Sequence, residues 1–121
     1  MERKAKTILI AENDPKNFRL LEEILMVLGF KVLQASGAEN IMDMMKSNHI
    51  DMIISDKLKH GKQGVHTMKK LKAINSDLII VGHVKNSKSG LYKDAGIDDF
   101  LAKPFNGKDL STLVEKYFYT K

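Results

Sequence analysis

The sequence predicts an α/β domain in which five short parallel strands alternate with helices covering both faces of the sheet. Three observations carry this. The 121 residues match the commonest size of a single domain, and no repeat, low-complexity tract or Pro/Gly-rich linker divides them. Short apolar runs recur along the chain, and the stretches between them bear apolar residues at helical period. Runs without a polar face suit parallel strands, which are buried on both sides and joined by right-handed crossovers. One domain spanning 1–121 is the expectation.

Taken in order, residues 6–11 form the first strand candidate. Asp14 and Pro15 then mark a helix start, a side chain able to cap followed by Pro at the first helical position. Phe18, Leu21, Ile24, Leu25 and Leu28 make that helix's apolar stripe, and Gly29 is its stop. Residues 30–34 read as the second strand. Ser36-Gly37 turns the chain into a helix that carries Ile41, Met42 and Met45 to about Ser47. Residues 52–55 are the third strand. After Gly64, a helix follows on Val65, Met68, Leu71 and Ile74, and 78–81 is strand four. A weakly apolar helix is expected over 87–95, where Leu91 and Tyr92 supply its only apolar side. Phe100 and Leu101 lie in a short fifth strand, and Leu110, Leu113, Val114 and Tyr117 stripe the last helix.

Composition excludes several chemistries. Without cysteine there are no disulfides, thiolate zinc sites or cysteine nucleophiles. No apolar run is long enough to span a bilayer, and the start (Met-Glu-Arg-Lys-Ala-Lys) is not a signal peptide, so a cytoplasmic protein is expected. The net charge is +5, and six lysines between Asp56 and Lys72 against that one Asp account for all of it. A solvated helix face and loop is the simpler reading of this patch. Nucleic acid is not an expected partner, since no aromatic residues interleave with Arg or Lys as a stacking surface would. Met42, Met44 and Met45 read as core packing rather than soft-metal ligands. His49 and His66 read as surface histidines.

In open α/β sheets ligands sit at the carboxyl edge of the strands. Just past the predicted strand ends stand Glu12-Asn13-Asp14, Asp56, His83 and Lys103. Neighbouring carboxylates repel unless a cation lies between them, and a water-accessible oxygen-rich pocket suits Mg²⁺.

These residues resemble, in order and over essentially the whole chain, the receiver domain of two-component response regulators. The resemblance rests on Glu12-Asn13-Asp14-Pro15, on Asp56 with Gly64 eight residues on, and on Ala95-Gly-Ile-Asp-Asp-Phe-Leu-Ala-Lys-Pro-Phe105. It implies a flavodoxin-like, doubly wound sheet of order 2-1-3-4-5. It implies that Asp56 accepts a phosphoryl group from a kinase phosphohistidine. Mg²⁺ would be held by Glu12, Asn13, Asp56 and the backbone carbonyl of Leu58. Lys103 would set its ammonium against Asp56 or a phosphoryl oxygen, aimed inward by a cis bond to Pro104. Phe100 would be the aromatic that changes rotamer on activation. The implied partners are a histidine kinase or phosphotransfer protein, and a downstream protein at the face between the fourth and last helices. A receiver that keeps the fold but acts as a phosphorylation-independent interaction module is the competing reading.

The chain departs from the family at several places. Asn13 takes the second acidic position, so Mg²⁺ binding is expected to be weak. Asp14 is expected to cap the helix rather than replace the missing acid. His83 replaces the family's Thr or Ser. It could pack in the pocket, pair as a cation with Asp56 or Glu12, or help ligate a transition metal. Gly82 beside it could make room for the ring. His60 stands where Pro is usual. Lys57, Lys59 and Lys62 form a basic rim that could attract an anionic donor, shield Asp56 in ion pairs, or be ordinary surface lysines.

Overall fold

Thr7–Ala11 (β1) is buried at every position, which marks it as a central strand. The computed structural model describes residues 5–58, 61–85, 90 and 96–119. After β1 come α1 (Pro15–Val27), β2 (Lys31–Gln34), α2 (Ala38–Ser47), β3 (Met52–Ser55) and α3 (Gly61–Ile74). The chain continues through β4 (Ile79–Lys85), β5 (Asp99–Lys103) and α4 (Gly107–Phe118). All strand pairings are parallel, and the sheet order is β2-β1-β3-β4-β5, as expected.

Successive side chains of a strand point to opposite faces, and the core divides accordingly. Ile8, Ile10, Met52, Ile54 and Val81 pack with Leu21 and Leu25 of α1 and with Leu110 and Val114 of α4. Leu9, Ile53 and Ile80 pack on the other face with Ile41 and Met45 of α2 and with Met68 and Leu71 of α3. Each fully buried aliphatic side chain of this kind contributes roughly 1.5–3 kcal/mol by leaving water. Met42 and Met44 also pack here, which bears out their reading as core.

Local signals act as expected at α1. Asp14 Oδ1 accepts from Lys16 N (2.9 Å), Pro15 opens the helix, and Gly29 follows its end at φ 94°. Several bounds differ. α3 begins at Gly61 rather than after Gly64, because its exposed first turn offers no apolar period to read, and Ile74 is exposed. β4 begins one residue later than expected and runs to Lys85, held there by β5 through the pairs His83↔Leu101 and Lys85↔Lys103. The helix expected over 87–95 lies outside the described residues.

Two adjacent aspartates pin the start of β5. Asp98 Oδ2 accepts from Ile80 N and Oδ1 from Lys72 Nζ, both at 2.8 Å. Asp99 Oδ1 accepts from Phe100 N (2.8 Å), while Oδ2 accepts from Lys116 Nζ and Tyr117 OH (3.0 Å each). Burial works to raise the Asp99 pKa, but these bonds outweigh it and hold the carboxyl below its ordinary range. A depressed folded-state pKa gives stability that is present above the unfolded pKa and lost as pH falls through the folded one. Asp99→Asn should therefore cost about 1 kcal/mol at neutral pH. In urea titrations its deficit against wild type should hold down to about pH 5 and close below about pH 4.

Candidate functional site

The register of the sheet assembles the site. Ala11 pairs with Ser55 and Ser55 with Gly82, so one residue further on Glu12, Asp56 and His83 stand abreast on the three central strands. By the two-residue alternation they share the face of Ile10, Ile54 and Val81, toward α1 and α4. Lys103, two residues beyond Leu101 on β5, falls on the same face. The expectation that residues just past the strand ends converge is met for Glu12 and Asp56; Lys103 joins them as the last residue of β5 rather than from beyond it. His83 is a correction: it lies inside β4, 1% exposed, because pairing with β5 carries the strand past it.

Asp56 is reached from two sides. Lys103 Nζ donates to its Oδ2 at 3.0 Å, and Lys57 Nζ lies 3.7 Å from its Oδ1. Oδ1 is buried and has no hydrogen-bond partner among the described residues. Lys103 also approaches Glu12 Oε1 at 3.4 Å, and its bond to Pro104 is cis. Partial burial works against the ammonium charge, yet the hydrogen bond and charge of Asp56, with Glu12 behind them, raise the Lys103 pKa above its ordinary value.

Glu12 is 5% exposed, and neither of its oxygens is free. Oε1 accepts from His83 Nδ1 at 2.9 Å, and Oε2 accepts from Asp14 N at 3.1 Å. Of the three roles open to His83, packing is realised, and the ring is hydrogen-bonded to Glu12 rather than to Asp56, while burial works against its pairing there as a cation. Its ring meets Phe105 edge-on, with centroids 5.3 Å apart. Burial pushes the imidazole pKa below its ordinary range; Glu12 pulls upward without reversing this, and the Lys103 charge adds to the lowering. Among the described residues, His83 Nε2 is buried without a hydrogen-bond partner.

The remaining candidates are placed as follows. Asn13 is exposed, and Asp14 caps α1, as expected. Leu58 is buried at the start of the loop after β3, where Lys57 N donates to Ser55 Oγ at 2.8 Å. Lys59 and His60 lie outside the described residues. His49 is exposed but pairs with Asp51 at 3.1 Å, a contact its reading as a bare surface residue left out. Phe100 lies on the opposite face, over Gly82: a Cβ at Gly82 would stand 3.0 Å from Phe100 Cδ1. Gly82 thus makes room for Phe100 rather than for the His83 ring. Phe105 is the residue sequence reasoning missed, because no polar or spacing signal ties it to the site.

Asp56 Oδ1, the Asn13 amide and the Leu58 carbonyl are oxygen donors of the kind a hard divalent cation takes. They fit Mg²⁺, although Asp56 is the one carboxylate among them and Glu12 is engaged elsewhere. Among the described residues, no three His, Cys, Asp or Glu side chains are arranged to hold a metal.

A profile of the response regulator receiver domain matches residues 8–115. The transcriptional regulatory protein CpxR of Escherichia coli K12 is 31% identical over 105 residues, 85% of this chain and 45% of that protein. The chain thus spans less than half the length of this curated relative. Among solved structures, a putative response regulator from Chloroflexus aurantiacus superposes with a TM-score of 0.80 at 27% identity, covering 97% of this chain and 100% of that one. The receiver domain of sensor histidine kinase PA1611 from Pseudomonas aeruginosa, with magnesium in its active-site cleft, gives a TM-score of 0.77 at 21% identity over 97% of this chain and 100% of that one. No helix among the described residues is long and apolar enough to cross a membrane. With matched fold, matched sequence over nearly its full length and an acidic edge built around Asp56, the chain belongs to the response regulator receiver domain family.

Proposed function

We propose that Asp56 accepts a phosphoryl group from the phosphohistidine of a kinase or phosphotransfer protein. The observation that carries this is the asymmetry of its carboxylate, with Oδ2 held by Lys103 and Oδ1 buried without a hydrogen bond among the described residues. A carboxylate oxygen of Asp56 attacks phosphorus, and an O–P bond forms as the N–P bond of the donor breaks. The donor imidazole leaves with the electron pair and takes a proton from solvent. Lys103 keeps an ammonium beside the incoming charge, which the carboxylates around it hold protonated. Mg²⁺ held by Asp56, Asn13 and the Leu58 carbonyl would neutralise phosphoryl charge.

Signalling would pass through the far side of β5. Phe100 rests on Gly82 and borders a groove of about 490 Å³ that Ala102, Lys108, Thr112 and Lys116 also line. This groove, beside α4, is the surface a downstream protein would read, and phosphorylation would shift its two-state equilibrium. The second reading, an interaction module independent of phosphorylation, draws on one specific observation: Glu12 Oε1 is bonded to His83 Nδ1 at 2.9 Å, which engages a carboxylate the family offers to a metal. A cytoplasmic location agrees with either reading.

Incubation with Mg²⁺ and acetyl phosphate, followed by intact mass, separates the two. Wild type should gain one phosphoryl group and Asp56→Asn none; a wild type that gains nothing where a typical receiver is labelled leaves the interaction module. For the surface, Gly82→Ala should push the Phe100 ring off its seat at a cost of about 1–2 kcal/mol. Amide spectra should then shift along β5 and the first turns of α4 without any phosphodonor. Unchanged Phe100 ring signals in that variant would mean that Gly82 does not seat the ring.

A further inference from the structure

We infer that His83 sets the divalent-cation affinity of this chain by withholding Glu12 from the metal. The inference rests on the phosphoacceptor reading only in taking the Asp56 edge as the place where a cation would serve.

The geometry gives three reasons. First, the Glu12 carboxylate is locked. Each carboxylate oxygen accepts about two hydrogen bonds. Oε1 has His83 Nδ1 at 2.9 Å and Lys103 Nζ at 3.4 Å, and Oε2 has Asp14 N at 3.1 Å. That fills three of about four acceptor positions, and the one left is on Oε2, the oxygen held by the Asp14 amide. The group cannot turn toward a cation near Asp56 without giving up His83.

Second, His83 has no alternative. It is 1% exposed, its Nε2 already lacks a partner, and Nδ1 has Glu12 alone among the described residues. Turning Glu12 away would orphan both ring nitrogens in a site closed to water. In either charge state of the ring it is Nδ1 that carries a proton toward Glu12, since a bare nitrogen 2.9 Å from a carboxylate oxygen would be repelled. The bond therefore does not depend on protonation at Nε2.

Third, the local charge does not favour a cation. Glu12 and Asp56 supply two negative charges, and Lys103 and Lys57, 3.0 and 3.7 Å from Asp56 oxygens, supply two positive ones. Asn13 adds none. Each carboxylate charge in the ligand set raises divalent-ion affinity, so freeing Glu12 is the available way to tighten binding.

The test is a double-mutant cycle on the full chain, read as Mg²⁺ affinity by amide NMR titration at constant ionic strength. His83→Thr should bind Mg²⁺ about tenfold more tightly than wild type, since the freed carboxylate joins the ligands. Glu12→Gln should cost at least about fivefold more affinity in the His83→Thr background than in wild type. If His83→Thr leaves affinity unchanged, or Glu12→Gln costs the same in both backgrounds, the inference is overturned.

A wild-type measurement covers the case in which a variant does not fold. In imidazole ¹⁵N spectra, the His83 Nδ1 signal should keep its hydrogen-bonded position while the Asp56 amide saturates with Mg²⁺. Loss of the Nδ1 hydrogen bond with the same midpoint as Asp56 would equally overturn it. Intact mass after acetyl phosphate, run on the same proteins, keeps the two readings apart. Loss of phosphorylation with the Mg²⁺ coupling intact rejects Asp56 as acceptor and leaves the role of His83 standing.

Discussion

The site depends on parallel register. In a parallel sheet the face of every side chain follows from its pairing, and a slip of one residue would turn each to the other side. The pairs Ala11↔Ser55 and Ser55↔Gly82 bring Glu12, Asp56 and His83 into one row, and the same alternation delivers Lys103 from the edge strand. Register is held by what lies beneath: Ile8, Ile10, Met52, Ile54 and Val81 bury one face, and Leu9, Ile53 and Ile80 the other. Polar chemistry at the edge is thus positioned by an apolar core that takes no part in it.

Within that row the balance of charge is this chain's own. A buried carboxylate needs donors, and Glu12 obtains them from His83, Lys103 and the Asp14 amide. Leaving one partner of such a buried hydrogen bond unsatisfied typically costs about 1–3 kcal/mol, so the His83–Glu12 bond supports the fold as well as shaping the site. Lys103 bridges Glu12 and Asp56 at 3.4 and 3.0 Å, which ties the first, third and fifth strands together at the reactive edge. The exposed lysines of α3 have no such role; Lys72, paired with Asp98, is the member of the basic stretch that braces β5.

The two faces of β4 divide the labour between adjacent residues. His83 looks toward α1 and α4 and meets Glu12 and Phe105, while Gly82 looks the other way and seats Phe100. In the receiver pattern a hydroxyl at the position of His83 couples the acceptor to the aromatic. Here an imidazole bonded to Glu12 stands in its place, and Gly82 beside it carries Phe100 on the opposite face.

The strand and helix order, the central burial of β1, the Asp14 cap and the grouping of Glu12, Asp56 and Lys103 were legible from residues alone. Periodicity, turn chemistry and the carboxyl-edge rule are local or topological, and they survive folding intact. The parts that were not legible all depend on neighbours distant in sequence. Nothing near His83 announces that β5 extends β4 past it, and nothing near Phe105 ties it to an imidazole on another strand. Three partners remained open to His83, and the choice of Glu12, 71 residues away, was made by register. Gly82 read as space for its neighbour's ring, yet alternation hands that space to Phe100 on the opposite face. The sequence by itself determined which chemical groups reach the edge. Only the tertiary structure decided which of them bond to one another, because those bonds are set by strand pairing and burial rather than by spacing along the chain.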